Sequence, residues 1–281
     1  MNASAGMAIS NAGGPGLAVR GLAAIGGAVR RTLEVVGSVS RFLGETVRAF
    51  TEVRTWRPEV IGQARSLGVG SLPIGLFIAA FTGIVLALLA SYSFSGAVPM
   101  YFVGTLVGKT VLLELAPVLT GLALAGRVGA NIAAELGTMR VTEQIDALET
   151  LGYDPMAYLV VPRVIAGTAM FPVVVAAAMI MGIACGWAAS ALLLNLSSAE
   201  FVKGLRLFFL VFDVRYGLVK SASFGLAVTL VGARRGLRAE GGAVGVGNAA
   251  TSAVVYSAVL ILVLDAFWAI TWLLGRDVTA T

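Results

Sequence analysis

Three charged residues stand inside long apolar runs and are the first candidates for chemistry. Lys109, Glu114 and Asp265 each fall in a stretch apolar enough to cross a bilayer. A charge at the bilayer centre costs about 2.5–3.5 kcal/mol even on the lenient insertion scale. Each must therefore face a cavity, a partner or another charge. Lys109 lies nearer the end of its run, where reaching back to the interface explains it equally well. Glu114 is deeper. Asp265 has Lys109 or Lys220 as a partner, and spacing does not choose between them. Arg127 and Glu135 are eight residues apart and share one helix face, which reads as a structural ion-pair network.

The remaining reactive inventory is thin. There is no His, the commonest general base and metal ligand. Cys185 is the single cysteine, so a disulfide within the chain is excluded. Gly108-Lys109-Thr110 resembles the end of a phosphate-binding loop, but that pattern needs Gly where Val103 stands, and no strand precedes it. No catalytic residue, metal site or cofactor is expected in this chain. Nucleotide hydrolysis would have to come from another one.

The elements that hold these charges are membrane spans. The chain has 281 residues, 58% hydrophobic and 12% charged, with a mean hydropathy of +0.92. A soluble domain carries about 25% charged residues, so too few remain here to cover a water-facing surface. No charge lies between Arg65 and Lys109 or between Arg163 and Glu200. A bilayer core needs roughly 20 apolar residues per helix. The expectation is an all-α integral membrane protein with five spans, near 70–91, 101–126, 163–194, 212–233 and 249–274. The second helix can run on toward Leu136.

Residues 1–16 carry no charge and read as a Gly/Ala tail rather than a signal peptide. Over 17–66, Leu22, Ile25, Val29, Leu33, Val36, Leu43, Val47 and Phe50 recur at helical spacing, with Arg30, Glu34, Arg41, Glu45, Arg48 and Glu52 between them. This predicts an amphipathic helix on the membrane surface, with packing against a partner protein as the alternative. The permease domain is expected over 67–275, with a short tail at 276–281. Arginine asymmetry orients the chain. With the N-terminus inside, thirteen Lys and Arg fall on the cytoplasmic side and four opposite, which favours a cytoplasmic N-terminus and an external C-terminus. The net charge of +5 belongs to these flanks and is no nucleic-acid footprint.

One segment between spans two and three is neither tail nor span. In Gly137–Leu151, Val141, Ile145 and Leu148 form an apolar stripe, and Glu143, Asp146 and Glu149 step along another face. Gly152 and Pro155 stop it. Such a helix can plug into a groove on a soluble partner, or it can merely tuck against the membrane. Gly104-x-x-x-Gly108 and Gly182-x-x-x-Gly186 permit close helix packing. Tyr92, Phe94, Met100 and Tyr101 suit an aromatic belt or a cavity mouth. Leu86, Leu89 and Phe94 fit either a lipid-lined wall or a packed core.

The run from Glu114-Leu-Ala-Pro117 through Gly126-Arg127 to Glu135-Leu-Gly-Thr-Met-Arg140 and Glu143-Gln-Ile-Asp-Ala-Leu148 resembles the MlaE/YrbE permease family. The similarity continues through Asp154–Arg163 and Gly241–Thr251 and covers roughly residues 30–275. These are membrane subunits of ABC systems that move lipid and work with MCE-domain proteins. One departure stands out: the family often has Arg before the Glu, and here Leu113 stands there.

The resemblance implies a homodimer of five-span subunits in the bacterial inner membrane, carrying phospholipid or a related lipid in a central cavity lined mainly by spans one, two and five. It implies Glu114 facing that cavity with Leu115, alongside Leu86, Leu89 and Phe94. It also implies a cytoplasmic ATPase dimer, holding ATP and Mg, docked on 137–151. Glu135, Gly137, Met139, Arg140, Val141, Glu143, Gln144, Ile145, Asp146 and Leu148 would be its coupling residues. The competing readings are an ion-coupled carrier, which would act without any ATPase, and a membrane-embedded lipid enzyme, which the missing His and the lack of clustered acids argue against.

Overall fold

A hydrocarbon phase offers backbone groups no hydrogen bonds, so a chain this apolar satisfies them internally, as helices. The computed structural model describes residues 17–94 and 98–279, and among them there are helices and no strands. Calls on residues 1–16 and on the last two positions lie outside the described residues. Two units divide the chain, residues 1–48 and 49–281.

The first unit is the helix α1 (Leu17–Ala49), whose end falls in the second unit. Arg30 Nε meets Glu34 Oε1 across one turn at 2.8 Å. Leu33, Val36 and Val47 are exposed.

The second unit holds five helical rods long and apolar enough to cross a membrane: Val53–Ser93, Phe102–Val141, Met156–Leu193, Val211–Gly236 and Gly242–Trp272. The first joins α2 (Val53–Leu67) to α3 (Leu72–Ser93) through one 3₁₀ turn. The region expected as one amphipathic helix over 17–66 is therefore two helices, parted at Phe50–Glu52. The second rod runs through α4 (Phe102–Thr110), α5 (Ala116–Leu124) and α6 (Ala130–Val141), with π turns at Val111–Leu115 and Ala125–Gly129. It runs past the expected extension to Leu136 and ends at Val141, its last turns carrying Glu135 and Arg140 beyond the apolar run. The short α7 (Gln144–Thr150) follows. The third rod is a π turn at Met156–Val160 and α8 (Val161–Leu193). It starts earlier than predicted: Asp154 Oδ1 accepts from the Met156 amide at 2.9 Å, and Pro155 opens the helix. After α9 (Ser198–Leu207), capped by Ser197 and Glu200, come α10 (Val211–Gly236) and α11 (Gly242–Thr279). The backbone of the expected tail at 276–281 is helical as far as Thr279.

Small residues decide how closely the rods approach. On α3, Gly75, Ala79, Gly83, Ala87 and Ala90 form one buried stripe at steps of four and then three residues. It lies against Gly182 and Gly186 of α8. A Cβ on Gly182 would sit 3.2 Å from the Ala79 carbonyl oxygen, and one on Gly186 3.1 Å from that of Gly83. A Cβ on Gly83 would run into the backbone of Gly182. Both small-residue repeats seen in the sequence are thus contact seams: Gly104 and Gly108 seat α9, and Thr105 Oγ1 donates to the Gly204 carbonyl at 2.5 Å.

The fourth span is the hub. α10 packs on α5, α6, α8 and α11, and 56% of its apolar window is buried, against 22% for the first span and 17% for the fifth. Those two are the outer walls. We predict that Gly83→Leu separates α3 from α8 and costs about 1–3 kcal/mol, the usual penalty of overpacking. Thermal unfolding in detergent should show a lowered midpoint, whereas Leu at the open Gly126 should change little.

Candidate functional site

The intramembrane charges meet in two clusters, both anchored on α10. In the first, Lys109 Nζ of α4 donates to Asp213 Oδ2 at 2.5 Å. Asp213 is fully buried. Its Oδ2 also accepts from the Leu210 amide at 3.3 Å, so it caps the start of α10. Lys109 is therefore paired, with Asp213 rather than with Asp265.

The second cluster is the deeper one. Lys220 of α10 has none of its side chain exposed. Its Nζ donates to Glu114 Oε2 at 2.7 Å and to the Leu113 carbonyl at 3.4 Å. It also pairs with Asp265 Oδ1 of α11. Three spans are tied at one ammonium. The choice left open for Asp265 falls to Lys220.

Local sequence explains why this point is available. Pro117 has no N–H for the Leu113 carbonyl four residues back. Around it the helix widens: the Ala116 amide bonds to Val111, five residues back, in the π turn that carries Glu114. Single π turns of this kind often mark functional sites. The released Leu113 oxygen accepts from Lys220 instead. Gly217 lets α10 come close enough: a Cβ there would lie 2.5 Å from the Leu112 carbonyl oxygen and 3.4 Å from Pro117 Cγ. Tyr216 covers the cluster with its ring centre 5.7 Å from Lys220 Nζ. Trp268 meets Tyr216 edge-on at 6.0 Å and donates from Nε1 to Ser223 Oγ at 3.0 Å, fixing α11 against α10.

Glu135 and Arg127 part company. Glu135 accepts from the buried Arg163 at 3.0 Å and from Asn131 at 3.0 Å, while Arg163 also donates to the Leu159 carbonyl at 2.7 Å. Glu135 thus has the structural ion pair expected of it, whereas Arg127 makes none among the described residues. The eight-residue face was right for a straight helix, but the π turn at Ala125–Gly129 rotates Arg127 away. It is exposed, with Nη2 beside Gly70.

The segment 137–151 is not one helix. α6 ends at Val141, and Glu143 sits in the left-handed region at φ +60° before α7 begins. Such a backbone costs a non-glycine residue about 1–2 kcal/mol. Arg140 Nη1 clasps Asp146 Oδ1 across the break at 2.6 Å. The apolar stripe turns inward: Ile145 is 3% exposed, and Val141 and Leu148 are half-buried. What faces out is Glu143, Gln144 and Glu149, with Leu151 73% exposed. Gly137 is packed under Ala239 and Val246, Met139 is half-buried, and Glu135 and Arg140 are exposed. The stop at Gly152 has φ +83° and the Tyr153 amide bonds to Leu148.

The four apolar positions considered for a cavity stand in different settings. Leu86 and Phe94 pack on the core shared by α3, α4 and α8. Leu89 is exposed. Leu115 lines a crevice with Ile78, Thr82 and Thr120 that is too narrow for a water molecule. Glu114, with 45% of its side chain exposed, presents a carboxylate on the same rod as Leu115. Sequence reading missed Asp213, at a span edge, and Arg163, which it used only for orientation. The signal for both was a lone charge beside an apolar run with an opposite charge one span away.

Five apolar rods with ion clusters between them describe a multi-pass membrane protein. The chain belongs to the MlaE permease family, whose model matches residues 60–271. A probable ABC transporter permease of Rickettsia conorii is 41% identical over 81% of this chain and 88% of its own. One of Synechocystis is 37% identical over 82% and 87%. An Arabidopsis chloroplast protein named trigalactosyldiacylglycerol 1 is 34% identical over 75% of this chain and 60% of its own. The chain is a transmembrane ABC permease.

Removal of one partner from a buried pair costs about 3–5 kcal/mol, because the other charge is stranded. Lys109→Met should therefore destabilise strongly, and adding Asp213→Asn should recover most of the loss. Urea or thermal unfolding of the three proteins in detergent checks this.

Proposed function

We propose that this permease moves phospholipid or a related lipid between membranes of the cell envelope, driven by a separate cytoplasmic ATPase. It performs no covalent chemistry. ATP and Mg belong to the ATPase chain. The observation that carries the reading is the Glu114–Lys220–Asp265 cluster: a polar point within three of the apolar rods, half-open at Glu114. A polar point within apolar walls suits a headgroup with its acyl chains. The Arabidopsis relative, named for a glycolipid, supports the same substrate class.

The rest of the assembly follows in kind. The two least-buried spans, the first and the fifth, offer the faces for a second copy in a homodimer. The lipid would then be held between copies and handed to an MCE-domain protein outside. α1 lies on the cytoplasmic surface of the inner membrane, the N-terminus inside and the C-terminus outside. The knuckle formed by α6, Glu143 and α7 is the coupling element. Its clasp and inward stripe make it stiff, and its exposed acids meet the ATPase.

One purification tests the reading. The chain and its genomic neighbours are expressed together, and native mass spectrometry identifies what stays bound. ATPase and phospholipid should be retained. Glu143→Lys with Glu149→Lys should lose the ATPase and keep the lipid. Asp146 is left alone, since reversing it breaks the clasp. A double mutant that still holds the ATPase and transfers lipid normally between liposomes would remove the coupling role.

A further inference from the structure

Lys109 is held by an acid on one side and open on the other. An ammonium has three N–H donors. Among the described residues Lys109 gives one of them, to Asp213 Oδ2. A measurable part of its side chain, 25%, is exposed, whereas Asp213 has no exposed surface. An approaching molecule therefore meets the ammonium and not the acid that fixes it.

The open side gives onto a cleft of about 380 Å³, lined by Thr105, Lys109, Leu207, Phe208, Phe209 and Leu210. No acid is among these lining residues. Thr105 gives its hydroxyl proton to the Gly204 carbonyl, which leaves the spare donors to Lys109. The walls are apolar and continue outward. Leu207 to Phe212 are six consecutive apolar residues across the break between α9 and α10, each at least 45% exposed. The rim is basic. Lys203 and Arg206 line an adjoining cleft of about 490 Å³ that shares Leu207. Glu200, the acid of α9, is turned back onto the Ser197 amide and hydroxyl.

These features ask for one kind of ligand, an anionic head on an apolar body. Phosphate oxygens accept strongly from an ammonium. A neutral lipid would leave the Lys109 charge unanswered, which is expensive beside hydrocarbon. A free anion would leave the apolar run uncovered.

We infer that this cleft takes the phosphate of a phospholipid on Lys109, with the acyl chains along Leu207–Phe212. It is separate from the Glu114 cluster, which is built on Lys220 about two turns further along α10. The inference deepens the lipid-permease reading and rests on it. In the orientation proposed above, the cleft opens on the outer side of the membrane, opposite the ATPase, and serves lipid that enters or leaves there.

The test reads the cleft itself. Leu207→Cys is made in the full chain together with Cys185→Ser, and an uncharged maleimide labels the thiol in detergent. Added phosphatidylglycerol should protect it. Diacylglycerol with the same chains should need about ten times the concentration for half-protection, the effect of one charge-assisted hydrogen bond. Inorganic phosphate should not protect. Adding Lys109→Met with Asp213→Asn removes the ammonium without stranding the acid, and should bring the two lipids level while labelling without lipid stays as before. Equal protection by both lipids with Lys109 in place, or a preference that survives its removal, overturns the inference. Protection by inorganic phosphate alone assigns the cleft to a free anion and overturns it as well. Either result in a chain that purifies with phospholipid leaves the permease reading standing. A wild type that purifies without phospholipid overturns that reading, and the inference with it.

Discussion

A buried ammonium in a hydrocarbon phase has to be answered by the protein, and that constraint organises this chain. Lys220 stands on the most buried span and has no exposed surface. It draws Glu114 from the second span and Asp265 from the fifth. Several local features make sense only as conditions for that meeting. Pro117 releases a carbonyl, the π turn swings Glu114 toward α10, and Gly217 lets the two backbones close up. Replacing such a cluster with apolar side chains would often be neutral for stability. Its presence is better understood as a functional choice than as the glue of the fold.

The glue is elsewhere. Apolar rods gain nothing from leaving lipid for one another, so close packing must hold them. The seam of α3 on α8 supplies it through Gly83, Gly182 and Gly186. The two kinds of contact divide the work. Small-residue seams set the distances between spans one and three. Ion clusters set the rotation of spans two, four and five about their own axes, because a charge cannot be turned toward lipid cheaply. A bundle built this way is stiff along its seams. It changes most readily where the charges sit, since an ion pair can exchange partners without breaking close packing.

Much of this was legible in the sequence. Hydropathy alone located five spans, because each run of uncharged residues is long enough for one. The motif around Glu143-Gln-Ile-Asp146 was specific enough to identify the family. Glu114 stood out as a charge too deep to excuse. What the sequence hid was rotation. Face assignments assume 3.6 residues per turn, and three π turns break that count. Arg127 was misplaced by that effect, and the partner of Glu135, Arg163, lies on another span. The break at Glu143 was equally invisible, since glutamate gives no sign of a left-handed backbone. Pairing partners lay a hundred residues apart, as with Lys109 and Asp213, and no local rule reaches that far.

The central claim is that Lys220, Glu114 and Asp265 act as one unit within the membrane. A mutant cycle measures it directly, with unfolding free energies of Lys220→Met, of Glu114→Gln with Asp265→Asn, and of the three together. The account predicts that Lys220→Met alone costs about 3–5 kcal/mol, because two carboxylates are left unpaired. It predicts that the triple variant recovers most of that loss. Additive costs, with the triple variant as unstable as the sum of its parts, would show that the three side chains are neighbours and not a unit.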